Sequence, residues 1–558
     1  MAEQAPLSYQ QNASTEPKNE VSKGLFELKS IQSVGDGDVV AVNDDRNGVF
    51  HRSFTPHQVH VISLGSNIGS GLFIGTGAAL ASAGPGNMVI AYGLVCTCVW
   101  AVLDALSEMT IAFPTPGNYI DYADRWVDPA LAFGAGVAEW LGWTSIVAAE
   151  AAFFNILVQF WGNGNFPKAA SLSIFIAACC VIFTLPNKVF AWFEYATSLI
   201  KIIIFMVIIL LSLAIVCGVG PAGYVHDGST WTDYPVFKNG FGGFGTAALL
   251  ATWAVGDQIF IGIMGGEAQN PRYSMGRATK LVPYRVGFVY MTCVIFITLL
   301  INSNDDRLLG GKGVTASPFV LAIEYAKIPV ISHILNAGII AGVLAIAAES
   351  VYLSSRVLRT MGYKRLVLEW VAKVDSKGRP RNSLLITCGF AVILTYINLS
   401  AGGQVALSWL ISITSASFFI NWMIVAFTSW RFHKVLEAQN DKLFTETYAW
   451  KATKWPLAPT WLMTICFLLT VCCLYVGTKP LGNAEFSASN FFQYTLGIIL
   501  IVTLTVGYKL IFRTPWRDLK TAYLHTGRRP LTVEEIQQLD GYYAMPKWRR
   551  LVSYVKLW

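Results

Sequence analysis

Leu64-Gly65-Ser66-Asn67-Ile68-Gly69-Ser70-Gly71-Leu72-Phe73-Ile74-Gly75-Thr76-Gly77 lies inside the first long apolar run of the 558-residue chain. Five glycines in one such stretch work against a continuous helix, at about 1 kcal/mol each relative to alanine. Gly65/Gly69 and Gly71/Gly75 have the spacing that lets two membrane helices pack closely. The sixth apolar run adds a second signal, with Gly240, Gly242, Gly243, Gly245, Gly256, Gly262, Gly265 and Gly266. Glycine-interrupted spans at matching positions of two halves point to a transporter built as an inverted repeat. A broken helix frees N–H and C=O groups at the bilayer midplane, which is tolerable only where the break lines a cavity or holds a ligand.

The surrounding sequence agrees. Hydrophobic residues make up 54% of the chain and charged residues only 13%, against about 25% charge in ordinary soluble domains. That balance excludes a disordered chain, a coiled coil, a nucleic-acid-binding module and most soluble enzymes. A hydrocarbon core about 30 Å thick needs about 20 apolar residues per helix. Twelve segments qualify: 58–83, 88–112, 131–160, 169–186, 192–219, 243–267, 281–302, 332–357, 383–399, 404–430, 457–477 and 488–513. A short amphipathic segment near 317–327 precedes the eighth. The expected fold is an all-α membrane protein of about twelve spans, five-plus-five with broken first and sixth helices, plus two extra helices.

The even-numbered connections carry about three times as many Lys and Arg as the odd-numbered ones. The basic side is cytoplasmic, so both tails are expected there: 1–52 in front of a permease domain at 53–513, and 514–558 behind it. Residues 1–52 are polar, so the first apolar helix serves as the targeting signal. Within 545–558, Trp548, Leu551, Val555 and Trp558 share one helical face, which suits either a helix on the membrane surface or one packed against the protein. All ten cysteines fall in apolar runs without a metal-ligand spacing and read as core residues. No nucleophile–base pair, phosphate loop, cofactor motif or metal-ligand set is apparent. No enzyme, cofactor, metal or nucleic-acid partner is expected, and no motif sets an oligomeric state.

Several motifs resemble one family. Asn67-Ile68-Gly69-Ser70-Gly71-Leu72-Phe73 resembles the first-helix signature of the fungal amino acid permeases, in the amino acid–polyamine–organocation superfamily. Ala105-Leu106-Ser107-Glu108-Met109 is similar to the family's second-helix motif. Asp128-Pro129-Ala130-Leu131, Trp143 and Glu150 resemble the third helix with its buried glutamate. Gly266-Glu267-Ala268-Gln269-Asn270-Pro271-Arg272, Tyr352 with Ser355-Arg356, and Lys377-Gly378-Arg379-Pro380 resemble later motifs in the expected order. The resemblance spans roughly 50–513. It implies import of amino acids across the plasma membrane by alternating access, with proton coupling. Amino acid, protons and membrane lipid are then the partners.

The resemblance also implies a site. Backbone N–H groups of Gly69, Ser70 and Gly71 would meet the substrate carboxylate, as a half-helix N-terminus favours an anion. Carbonyls near Val255, Gly256 and Asp257 would meet the ammonium. Charges inside spans are costly and read as functional. Glu139 and Glu150, eleven residues apart, lie about 20° apart on one helix. Lys201 interrupts the fifth apolar run, where some superfamily carriers place a lysine that holds the coupling proton. Lys201, Glu150 and Glu139 are therefore the proton-coupling candidates. Glu108 and Glu267, near helix ends, read as structural pairs.

Departures from the family include Ile259 where a glutamate is usual, Asp257 two positions earlier, Glu139 in place of an aromatic residue, Ala191-Trp192 in place of a Gly-Glu pair, and Ala348-Glu349 in place of Asn-Ser. They leave the fold expectation intact and open the substrate. The alternatives are a sensor with the same fold and a carrier of another organic cation such as a polyamine.

Overall fold

The computed structural model describes residues 40–42, 50–52 and 61–555, apart from 63–64, 67, 116, 184–186, 257–261, 263–270, 309–316, 376–378, 401–402, 447, 453, 483–484 and 526. Eight stretches are long and apolar enough to cross a bilayer, and three shorter apolar helices accompany them, Lys168–Ile182, Gly240–Val255 and Arg381–Ile397. One of the eight, Gly71–Ala112, has 42 residues. As one rod it would reach about 63 Å, twice the hydrocarbon core. It bends at Gly84, whose φ of +74° lies outside the helical region, with Pro85 next. A Cβ at Gly84 would lie 2.7 Å from the Pro235 carbonyl oxygen, so this bend requires glycine. The stretch therefore holds spans 1 and 2, and the described residues contain the twelve expected spans.

Span ends follow local chemistry. Asp128 caps span 3, Pro129–Gly162, accepting the Ala130 N–H at 2.7 Å with Pro129 in the first turn. Span 7 runs Pro271–Leu300, ten residues ahead of the expected start. Its first turns carry Arg272, Arg277 and Lys280 beyond the apolar window that hydropathy detects. Span 10, Gly403–Ala438, overruns for the same reason, with Arg431, His433 and Lys434 in its last turns. The amphipathic segment before span 8 is the short helix Pro318–Tyr325. Two three-residue strands, Val40–Val42 and Phe50–Arg52, lie in the N-terminal tail.

Spans 1 and 6 pack together, as do spans 3 and 8, the equivalent pairs of a five-plus-five repeat; span 10 closes on span 3. Spans 3 and 10 are the most enclosed and span 12 the most peripheral. Seven cysteines are buried and Cys388 partly so, but Cys180 and Cys217 are exposed. For those two the core reading is corrected: an apolar run in a membrane has an outward face, and a cysteine is at home there.

The C-terminal tail is stitched to one end of the bundle, called here the tail face. Arg517 N–H donates to the Val127 carbonyl at 2.8 Å and Arg529 N–H to that of Ala112 at 3.1 Å. The Trp126 indole donates to the Tyr523 carbonyl at 3.1 Å, and Arg528 pairs with Asp441 at 3.0 Å. The tail then forms two helices. Val533–Ala544 begins with a capping box between Thr532 and Glu535. Lys547–Val555 follows, with Trp548 exposed.

Candidate functional site

The first span is interrupted where the glycine-rich stretch predicts. One turn ends at Ser66, whose N–H donates to the Ile62 carbonyl at 2.8 Å. The chain restarts as a π-helical turn, Gly71–Gly75, with Ser70 at its N-cap. Such wide turns are rare and concentrate at functional sites. The sixth span stops as a helix at Val255, with Gly256 as its C-cap. Asp257 lies outside the described residues, as do Ile259 and Glu267.

These two breaks meet around a buried cavity of about 40 Å³, room for on the order of three water-sized spheres. Gly69, Ser70 and Gly71 line it from span 1, Glu150 and Trp143 from span 3, Ala254 and Trp253 from span 6, and Ile346 and Glu349 from span 8. Phe418 of span 10 and Tyr290 of span 7 complete it. A cavity of that size has to widen before it holds an amino acid. Val255 and Gly256 do not line the cavity. Gly256 lies flat against the Phe418 ring, where a Cβ would collide. Tyr290 fixes the end of span 6, its hydroxyl donating to the Ala254 carbonyl at 2.5 Å.

The acids divide into two kinds. Glu150 is buried, and Ser70 Oγ donates to its Oε1. Its other oxygen meets no hydrogen-bond donor among the described residues. Lys201 of span 5, also buried, lies close enough to act electrostatically on Glu150. No acceptor among the described residues meets the Lys201 ammonium. Glu194, one helical face-length earlier on span 5, is fully buried, and Lys201 acts on it too. One lysine thus acts on two buried carboxylates.

Glu139 is different. It accepts from the Trp143 indole at 2.7 Å, the Tyr119 hydroxyl at 3.0 Å and the Asn421 amide at 2.5 Å. It stands outside the cavity and holds Trp143 in the wall. Glu108 is structural, as expected: it meets His433 Nε2 at 2.7 Å and accepts the Ala452 N–H at 2.6 Å.

Sequence reasoning missed Glu194, Tyr290, Phe418 and the cavity position of Glu349. For Glu194 a signal existed, since seven residues from Lys201 is two turns along one helical face. For Tyr290 and Phe418 there was none, because aromatic residues abound in every span.

A bundle of twelve apolar helices, with two interrupted helices meeting at a buried polar cavity, is the architecture of a membrane carrier. The profile described as "Amino acid permease" matches residues 58–521, and the chain belongs to the amino acid permease family. Amino-acid permease GAP3 of Candida albicans is 29% identical over 523 residues, covering 92% of this chain and 86% of the relative. The S-adenosylmethionine permease GAP4 of the same organism is 28% identical over 490 residues, covering 87% and 80%. Among solved structures, a mutant manganese transporter of Eremococcus coleocola superposes with a TM-score of 0.53 at 12% identity, covering 82% of this chain and 95% of that one. That likeness concerns the fold alone. The protein is a multi-pass membrane transporter, not an enzyme.

Proposed function

We propose that this permease imports amino acids across the plasma membrane by proton-coupled alternating access, with both tails, 1–52 and 514–558, in the cytoplasm and 53–513 as the transport domain. The observation that carries the reading is the link between the span 1 break and a buried acid: Ser70 donates to Glu150, and Lys201 faces that acid from span 5. Backbone N–H groups at Gly69, Ser70 and Gly71 hold the substrate carboxylate. Carbonyls at Val255, Gly256 and Asp257 hold its ammonium once the end of span 6 moves to the cavity, which Val255 and Gly256 do not line in the conformation described. A proton exchanged between Lys201 and Glu150 changes the hold on Ser70, and so couples proton position to the closing of span 1. Glu139 serves this step indirectly, by fixing Trp143.

The cavity walls carry two carboxylates, Glu150 and Glu349, and a cleft lined by acids concentrates ligands of the opposite sign. This favours a basic amino acid as substrate. The test is uptake into proteoliposomes of lysine, arginine, leucine and spermidine, with and without an imposed pH gradient. Lysine or arginine accumulating on the gradient supports the reading. Binding without uptake makes the protein a sensor, and preference for spermidine makes it a polyamine carrier. Orientation is tested separately. Tags at Ala2 and after Trp558 are expected to resist external protease in intact cells, and cleavage of either overturns the topology.

A further inference from the structure

A second polar cavity, of about 370 Å³, shares no lining residue with the transport site. It opens on the tail face between four chain segments. Span 2 contributes Trp100 and Asp104, span 7 Arg272, Lys280 and Tyr284, the connection between spans 10 and 11 Trp450 and Lys451, and the helix Val533–Ala544 its Tyr543. Three cations face one acid. None of the three is in an ion pair among the described residues. Outside the wall, Glu108 and Lys454 both act on Asp104 and offset each other in charge, and Lys280 acts on it from within. The cavity is therefore electropositive.

Its construction is specific. The Trp450 ring is within cation–π reach of two cations, with Arg272 Cζ 5.2 Å and Lys280 Nζ 5.0 Å from its centroid. Arg272 is buried, and its Nε–H donates to the Tyr448 carbonyl at 2.6 Å, which fixes the guanidinium. The Trp450 indole N–H is out of solvent and meets no acceptor among the described residues. A held guanidinium with two further cations in one cavity wall is a setting for an anion rich in acceptor oxygens.

Depth identifies the class of anion. Span 7 has 30 residues, about 45 Å, against about 30 Å of hydrocarbon. Lys280 lies about 13 Å from the start of span 7, and Asp104 about 12 Å from the end of span 2. Both sit where hydrocarbon gives way to headgroups. Trp100 and Tyr284 lie deeper, as aromatic residues do at that boundary, and Tyr284 is 79% exposed, on the outer side of the bundle. A soluble anion has no use for an aromatic wall open to lipid.

We propose that this cavity binds the phosphate-bearing headgroup of an anionic phospholipid. Arg272, Lys280 and Lys451 supply the charge, and the acyl chains leave past Trp100 and Tyr284. Only the naming of the leaflet, the cytoplasmic one, rests on the orientation proposed above. A lipid seated there touches spans 2 and 7 and the C-terminal tail at once.

The test is native mass spectrometry of the full chain with added phosphatidylinositol or phosphatidylcholine. The wild type is expected to retain phosphatidylinositol over phosphatidylcholine. The double variant Lys280→Gln/Lys451→Gln is expected to lose about 30-fold in that retention, since each cation near anionic lipid is worth about fivefold. Lys434→Gln, a cation elsewhere on the tail face, is expected to change nothing. Lys280→Arg/Lys451→Arg is expected to keep the lipid, which separates loss of charge from loss of fold. Equal retention of both lipids by the wild type overturns the proposal, as does undiminished retention by the Gln double variant. Inorganic phosphate is the second probe. If it displaces phosphatidylinositol at equal concentration, the site is one for free phosphate and the lipid assignment falls.

Discussion

Glu139 and Glu150 share span 3, nearly one helical face and complete burial, yet their surroundings are opposite. Around Glu139 three side chains from three elements converge, and each donates a hydrogen bond. Around Glu150 there is one described donor, Ser70, at the head of the π-helical turn, and a lysine that no described acceptor holds. A carboxylate in a membrane protein is costly wherever it sits. The saturated one recovers that cost through fixed hydrogen bonds and stiffens the bundle. The unsaturated one is left to interact with whatever enters the cavity or changes charge beside it. Charge in an apolar run is therefore a pointer to either role, and the number of donors around it distinguishes them.

The largest effect is expected at Glu150. Glu150→Gln should lower gradient-driven uptake on the order of 100-fold, the scale of losing a positioned proton-transfer group, with surface expression unchanged. Near-normal accumulation in this variant would break the comparison at its centre. Lys201→Ala should abolish accumulation on an imposed pH gradient while exchange of internal for external substrate continues. Lys201→Arg should fail in the same way, because arginine keeps its proton. An arginine variant that still concentrates substrate assigns Lys201 a structural role and moves the proton site towards Glu194.

At Glu139 the expected loss is of stability. Glu139→Leu strands the donors of Tyr119, Trp143 and Asn421, at about 1–3 kcal/mol for each buried group left unpaired. Thermal unfolding in detergent should begin several degrees lower. The pH profile of the remaining uptake should match the wild type, because no titrating step is lost. A shifted profile would place Glu139 with Glu150 after all.

How far these distinctions were legible depends on what each residue faces. The twelve spans could be read because the bilayer imposes one length and one composition on each. The breaks at Gly69–Gly71 and Gly256 could be read because glycine is costly in a helix and rarely clusters without use. Glu150 and Lys201 were conspicuous as charges in apolar runs. Their relation was not, since Ser70, Glu150 and Lys201 belong to spans 1, 3 and 5 and no periodicity records which faces meet. Glu139 looked like Glu150 for the same reason, its distinguishing partners Tyr119 and Asn421 lying outside span 3. The lengths of spans 7 and 10 escaped hydropathy because the first turns of span 7 and the last turns of span 10 leave the hydrocarbon.

The smallest effect concerns Gly69 and Gly71, two residues apart in the break and again unlike in what they face. A Cβ on Gly71 would lie 2.6 Å from the Ala254 Cα and 2.7 Å from its Cβ, so backbone stands in the way. A Cβ on Gly69 would meet only the tip of the Ile346 side chain, which can rotate. Gly71→Ala must push spans 1 and 6 apart, at about 1–3 kcal/mol for overpacking. Ala254→Gly cannot restore it, because the Cα remains. Gly69→Ala turns Ile346 into a cavity that Ile346 already lines. It should raise KM about threefold to tenfold, equivalent to about 1 kcal/mol, with thermal stability nearly unchanged. Adding Ile346→Ala should return KM towards the wild-type value, and should do nothing for Gly71→Ala. If Ile346→Ala fails to rescue Gly69→Ala, the Gly69 backbone itself approaches the substrate and the loss is one of binding rather than of space.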